Sequence, residues 1–182
     1  MTAAIRAREG PRLRAWHHGD DLRAISLADL FFEATQLIQA YCACIDGDRL
    51  EEWPDFFTFD GCYELVTREN AERNLPATAM HCEGAGMMRD RVISLRHANV
   101  YARQYYRHLV TDLLVGECTE SSVSVESNYL VTRTLAVEGD AVLFSAGRAT
   151  DTLALTDQGL RFRKRRVVAD NDRIHTLLVL PI

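Results

Sequence analysis

Lysine is almost absent from this 182-residue chain: of 21 basic residues, 20 are arginine, and Lys164 is the exception. Arginine presents a planar fork that pairs two-pronged with carboxylates, so contacts with acidic protein groups are available throughout. Positive charge is not in excess either. The 21 bases stand against 26 acids, giving a net charge of -5 and a pI near 5.7, which removes long-range attraction to phosphate and sets nucleic acid aside as a partner. No apolar run approaches the ~20 residues of a membrane-crossing helix, so no membrane partner is expected.

Several short motifs are also missing. There is no glycine-rich phosphate loop, no Gly-x-Ser-x-Gly elbow and no His-Glu-x-x-His, which excludes the enzyme classes that announce themselves that way. The five cysteines, Cys42, Cys44, Cys62, Cys82 and Cys118, lack the density of a disulfide scaffold and point to a reducing cytoplasm. None has a histidine two or three residues after it, so neither half of a Rieske cluster site is present. Cys42 and Cys44 fall on a predicted helix, where residues two apart point away from each other. No metal or cofactor site is expected in this chain, and the adjacent His17 and His18 read as a solvated pair.

What is present fits one domain. At 182 residues and 47% hydrophobic, the chain can bury roughly 70% of its unfolded surface. Met1 to Arg23 carries five arginines but neither an apolar core nor a small-residue cleavage site, so it does not read as a secretion signal. Residues 1–25 are expected to form an arm and 26–182 a single domain. Ser26 followed by Asp29 predicts a helix start. Leu27, Leu30, Phe31, Ala34, Leu37, Ile38, Tyr41 and Ile45 then keep the spacing of a long amphipathic helix ending at Asp46 and Gly47. Asp48 is expected to cap a short helix that Pro54 stops. Cys62–Thr67 reads as a strand and Gly84–Arg96 as a third helix.

From about Tyr105 the period changes to two. Leu109–Cys118, Ser122–Ala136, Ala141–Leu155 and Leu160–Val168 read as strands, punctuated at Glu138-Gly139-Asp140 and Asp157-Gln158-Gly159. Helices first and a strand meander afterwards predict an α+β domain, its N-terminal helices packed on a curved, mainly antiparallel sheet.

The last 23 residues concentrate the candidate contacts. Leu160 and Phe162 alternate with Arg161, Arg163 and Arg165, placing the arginines on one strand face, and Arg166 breaks the alternation. The apolar run Thr176–Leu180 and then Ile182 suggest a buried chain end and a sheet edge covered by a partner. The plainer alternative is a solvated face with local ion pairs. Proton transfer is a separate possibility: His81, His97 and His108 lie in the middle of the chain, and Asp46 and Asp60 at predicted element ends, where a cup-shaped domain gathers acid–base pairs.

A longer pattern gives a more specific reading. It runs from Ala43-Cys44-Ile45-Asp46 and Trp53-Pro54-Asp55-Phe56-Phe57 through Arg68-Glu69-Asn70-Ala71-Glu72-Arg73 and Gly86-Met87-Met88-Arg89-Asp90-Arg91-Val92. It continues with Tyr106-Arg107-His108, Glu126-Ser127-Asn128-Tyr129 and Leu160-Arg161-Phe162 to Pro181-Ile182. In order and spacing this resembles the small (β) subunit of bacterial aromatic-ring-hydroxylating dioxygenases. The resemblance covers about Leu27 to the end.

That resemblance implies a cone-shaped domain of the nuclear-transport-factor-2-like kind and a non-catalytic role in assembly. The expected partner is a large (alpha) subunit holding a Rieske [2Fe-2S] cluster and a mononuclear iron, commonly as an alpha3beta3 hexamer with a beta trimer. NADH or NADPH would supply electrons through a reductase. The stretch Thr67–Pro76 resembles systems acting on carboxylated monocyclic aromatics such as salicylate, anthranilate, terephthalate or benzoate. Expected interface residues are Arg107, His108, Arg161, Arg163, Arg165 and Arg166, with Arg165→Ala expected to weaken association and leave the domain folded. The same fold hosts dehydratases and isomerases, so the alternative is a free-standing acid–base enzyme using Asp46, His81 and His108.

Overall fold

The computed structural model describes residues 20–98, 102–137, 139–171 and 180–182. The His17–His18 pair, residues 1–19 of the expected arm, Glu138 and most of the terminal apolar run lie outside the described residues. Within them, helices precede a long-stranded sheet, as the change of period predicts. Helix α1 spans Leu27–Asp46, with Ser26 Oγ accepting from the Asp29 amide at its start. Leu30, Ala34, Leu37, Ile38, Tyr41 and Ile45 form its buried stripe.

A 3-10 helix, Leu50–Phe56, follows, with Pro54 inside it rather than ending it. Asp48 adopts φ 55° and is not the cap; Arg49 holds that position without a side-chain bond. Within the expected arm, Leu22, in a 3-10 turn at Leu22–Ala24, is fully buried, and its amide donates to the Glu120 carbonyl.

Six strands form one sheet: β1 Phe57–Thr67, β2 Met80–Glu83, β3 Gln104–Cys118, β4 Ser122–Leu135, β5 Ala141–Thr156 and β6 Gly159–Ala169. Their order is β2-β1-β6-β5-β4-β3. All neighbours are antiparallel except β1 and β6. Helix α2, Arg68–Glu72, lies between β1 and β2, and α3, Gly84–His97, packs on them. Strand β2 and helix α2 escape the sequence reading because each is no longer than five residues, too short for a period to register.

The inner face of the sheet carries the core. Tyr41, Trp53, Phe57, Tyr63 and Phe162 meet largely edge to face, with ring centroids 5.3–6.5 Å apart. This geometry matches the positive rim of one ring to the negative face of the next. Leu180 and Ile182 are buried as well: the Tyr41 and Tyr63 hydroxyls both donate to the Ile182 carbonyl oxygen, at 3.0 and 3.2 Å, and the Ile182 amide donates back to Tyr63.

One irregularity in β6 decides which residues face this core. Thr152 pairs with Lys164, yet the next β5 residue, Leu153, pairs with Phe162, so Arg163 is an extra residue bulged out of the ladder. Up to Phe162 the even positions point inward; from Arg165 onward the odd ones do. A strict period of two therefore misassigns Arg165, which is buried.

Close packing between β5 and β6 depends on Gly147, paired with Ala169: a Cβ there would overlap the Val168 carbonyl oxygen and press on the Tyr129 ring. Gly147→Ala is expected to destabilise the fold by about 1–3 kcal/mol, the usual range for overpacking. Denaturant unfolding should show a lower midpoint with an unchanged slope.

Candidate functional site

The structure sorts the expected site residues into three places. The first is the interior, where Arg165 Nη1 donates to Asp151 Oδ2 at 2.6 Å and neither side chain exceeds 2% exposure. The guanidinium lies 4.5 Å over the Tyr41 ring and 5.1 Å over Phe162, where the ring quadrupoles favour a cation. Burial pushes the Asp151 carboxyl up to about 6, with Arg165 pulling the other way, so it is ionised at neutral pH. Burial likewise opposes the charge on Arg165, but Asp151 and the neighbouring phenols and thiol hold it protonated. Arg165 is thus part of this chain's own core, and a change there acts first on folding, contrary to the surface role expected of it.

The second place is the join between α1 and β3. Asp46, the last residue of α1, reaches His108 twice: Oδ2 accepts from the His108 amide at 3.0 Å, and Oδ1 lies 2.6 Å from Nδ1. The imidazole is almost wholly buried, and its Nε2 has no hydrogen-bond partner among the described residues. Arg107, the next residue back, turns to the rim and donates to the Tyr106 and Asp46 carbonyls at 3.0 and 3.4 Å. An adjacent hollow is lined by Asp46, Asp48, Arg103, Tyr105 and Arg107, with Leu180 at its floor. His81 does not join this pair. It sits on β2, at the opposite edge of the sheet from β3.

The third place is the outer face of the sheet. Alternation projects Thr111, Asn128 and Arg148 in one row and Leu114, Glu126, Thr150, Arg166, Glu64 and His81 in another. Leu109 and Leu114 on β3 are 53% and 64% exposed, and Leu109 pairs across the ladder with the exposed Leu130. Arg163 stands free of the core at the bulge, while Arg161 turns to Gln158 and the Leu160 carbonyl beside a hollow lined by Glu33, Glu52 and Asp55. The arginines of the strip therefore do not share one face.

Sequence reading missed the Asp151 partner and the outer leucines, because partners on separate strands are set by register. An Asp inside an otherwise apolar and threonine-rich strand was the available signal for a buried pair.

With the geometry established, comparison with known proteins fixes the family. The family profile described as "Ring hydroxylating beta subunit" matches residues 42–176. The chain belongs to this family. It is 42% identical over 152 residues to the anthranilate 1,2-dioxygenase small subunit of Burkholderia cepacia, covering 84% of this chain and 94% of that one. It is 33% identical over 145 residues to the beta 2 subunit of the terephthalate 1,2-dioxygenase terminal oxygenase component from Comamonas sp, covering 79% and 92%.

Among solved structures, a β subunit assigned to an aromatic-ring-hydroxylating dioxygenase of Novosphingobium aromaticivorans superposes with TM-score 0.78 at 35% identity, covering 86% of this chain and all of that one. The helices-on-open-sheet architecture is the nuclear-transport-factor-2-like fold that the family resemblance implied.

Removing one partner of a buried ion pair leaves an uncompensated charge, so Arg165→Ala should cost about 3–5 kcal/mol, and the double change Asp151→Leu with Arg165→Met much less. The sign with pH follows from Asp151: its folded value, about 6, lies above the ordinary 3.8. The folded chain thus holds a proton through that window that the unfolded chain has released. Its stability relative to the double variant should fall as pH rises from about 4 to 6, as chemical denaturation at several pH values would show.

Proposed function

We propose that this chain is the small subunit of the terminal oxygenase of an aromatic-ring-hydroxylating dioxygenase, with assembly and stability of the large subunit as its role. The observation that carries this reading is the near end-to-end match to a small subunit of that class, at 42% identity. The large subunit would hold the Rieske cluster and mononuclear iron, and NADH or NADPH would supply electrons through a reductase.

The outer sheet face supports an assembly role. A surface that sets the exposed Leu109, Leu114 and Leu130 at the β3 edge, beside rows of arginines and carboxylates, combines the apolar and polar groups of a protein contact. Three large and three small subunits, with the small subunits as a trimer, is the arrangement we favour, in the cytoplasm. No helix among the described residues is long and apolar enough to cross a membrane. A carboxylated monocyclic aromatic is the substrate class, since two relatives are named for anthranilate and terephthalate.

The Asp46–His108 contact favours a second reading, an acid–base enzyme, because a carboxylate at Nδ1 is how proteins orient a histidine base. Two features weigh against it: His81 is remote, and Nε2, the nitrogen that would act, is buried. The pair works instead as a latch between α1 and β3.

Co-expression with a Rieske-type large subunit should yield a complex containing iron and active on a panel of carboxylated aromatics, while the chain alone gives no turnover. Turnover by the chain alone that vanishes in His108→Gln would instead establish the acid–base reading. For the contact face, Leu114→Glu should change stability by less than about 0.5 kcal/mol, as an exposed substitution does, yet abolish co-purification. A complex unchanged in size-exclusion chromatography would remove the outer leucines from the interface.

A further inference from the structure

Four side chains able to bind a metal stand in a square where β2 pairs with β1. The register sets Cys62 opposite Glu83 and Glu64 opposite His81, so alternate positions on neighbouring strands project all four from the outer face. Cys62 Sγ and His81 Nδ1 each lie 4.0 Å from one and the same oxygen, Glu64 Oε1. Sulfur, ring nitrogen and carboxylate oxygen all fall within 4.8 Å of one another. A tetrahedral zinc site with bonds of about 2.0–2.3 Å requires donor separations of roughly 3.3–3.6 Å. Small rotamer adjustments of partly exposed side chains close that gap.

The neighbouring charges are sorted in a way that leaves the three donors free. Lys164 Nζ at 3.1 Å and Arg166 Nε at 4.0 Å both sit on the other oxygen of Glu64, Oε2. They fix the carboxylate while leaving Oε1 turned toward Cys62 and His81. On the far side of the ring, Glu83 Oε2 lies 3.9 Å from His81 Nε2. A histidine that offers one nitrogen to a metal and the other to a carboxylate is the usual supporting arrangement of protein metal sites.

We propose that Cys62, Glu64 and His81 form a three-ligand site for a zinc-class divalent ion, with Glu83 orienting the imidazole and Lys164 the carboxylate. Thiolate, imidazole and carboxylate together make a borderline-soft donor set, suited to zinc and cobalt rather than magnesium or calcium. Binding exchanges the thiol proton for the metal: the S–H bond breaks, the proton leaves to solvent and the sulfur pair forms the metal bond, with no change of oxidation state. The fourth position faces outward and takes water. Such an ion ties the four-residue β2 to β1 at the edge of the sheet.

Cobalt(II) is the probe. Added in stoichiometric amount to the full chain after chelator treatment, it should give a thiolate-to-cobalt charge-transfer band that zinc(II) abolishes. Cys62→Ser should remove the band, and His81→Ala, a change at a half-exposed position, should weaken cobalt binding about tenfold or more. Glu83→Gln should keep the band and lose about tenfold in affinity, and Cys118→Ser should leave both unaltered. Circular dichroism confirms the fold of each variant. The proposal is overturned by a wild-type chain without the band, by a band surviving Cys62→Ser, or by unchanged affinity in folded His81→Ala.

Discussion

Arg165 and Asp151 hold the centre of this domain, and much of the rest is arranged so that they can meet. Both lie inside the sheet, on the paired strands β6 and β5, with Tyr41 of α1 stacked on the guanidinium. The meeting requires the bulge at Arg163, since an unbroken alternation from Phe162 would turn Arg165 to the outer face and Lys164 to the core. The pair is not saturated: Asp151 Oδ1 and Arg165 Nε have no hydrogen-bond partner among the described residues. A buried pair of that kind adds little net stability over apolar residues of similar volume. Its effect is on register, because a slip of either strand by one residue would bury one charge without the other.

The same register builds the two faces of the sheet. Inward it delivers Tyr63, Phe162 and Val131 to the aromatic core; outward it delivers rows of mixed charge with leucines at the β3 edge. With the inner face filled by the domain's own side chains, the exposed leucines and the paired charges are left to the outer face. The Asp46–His108 latch belongs to that economy of structure: it joins the end of α1 to β3 with a charged bond at both the imidazole and the amide of His108.

Much of this was legible in the sequence, and the parts that were not share a physical cause. Helix α1 was readable to within a residue because its 20 residues carry a full apolar stripe and a Ser26 cap. The long strands β3 to β6 were readable from their period and from turns such as that at Gly159, whose φ of 94° suits glycine. Pairwise facts were not readable. Asp151 opposite Arg165, Glu64 opposite His81 and the separation of His81 from Asp46 all follow from which strands neighbour one another, and in what register. Composition could say that arginine would pair with carboxylates, but not that one such pair would lie in the core.

The terminal arginine strip shows how a single inserted residue divides one sequence feature among different tasks. Arg161 stays with the polar rim near Gln158, Arg163 occupies the bulge, Arg165 enters the core, and Lys164 and Arg166 cover one oxygen of Glu64. Family membership assigns no role to any one arginine. The bulge does so by geometry: with Arg163 set aside, the positions before and after it face opposite ways, and only the position opposite Asp151 can bury its charge. The strip's function is therefore distributed between holding the sheet in register and presenting charge on its outer face.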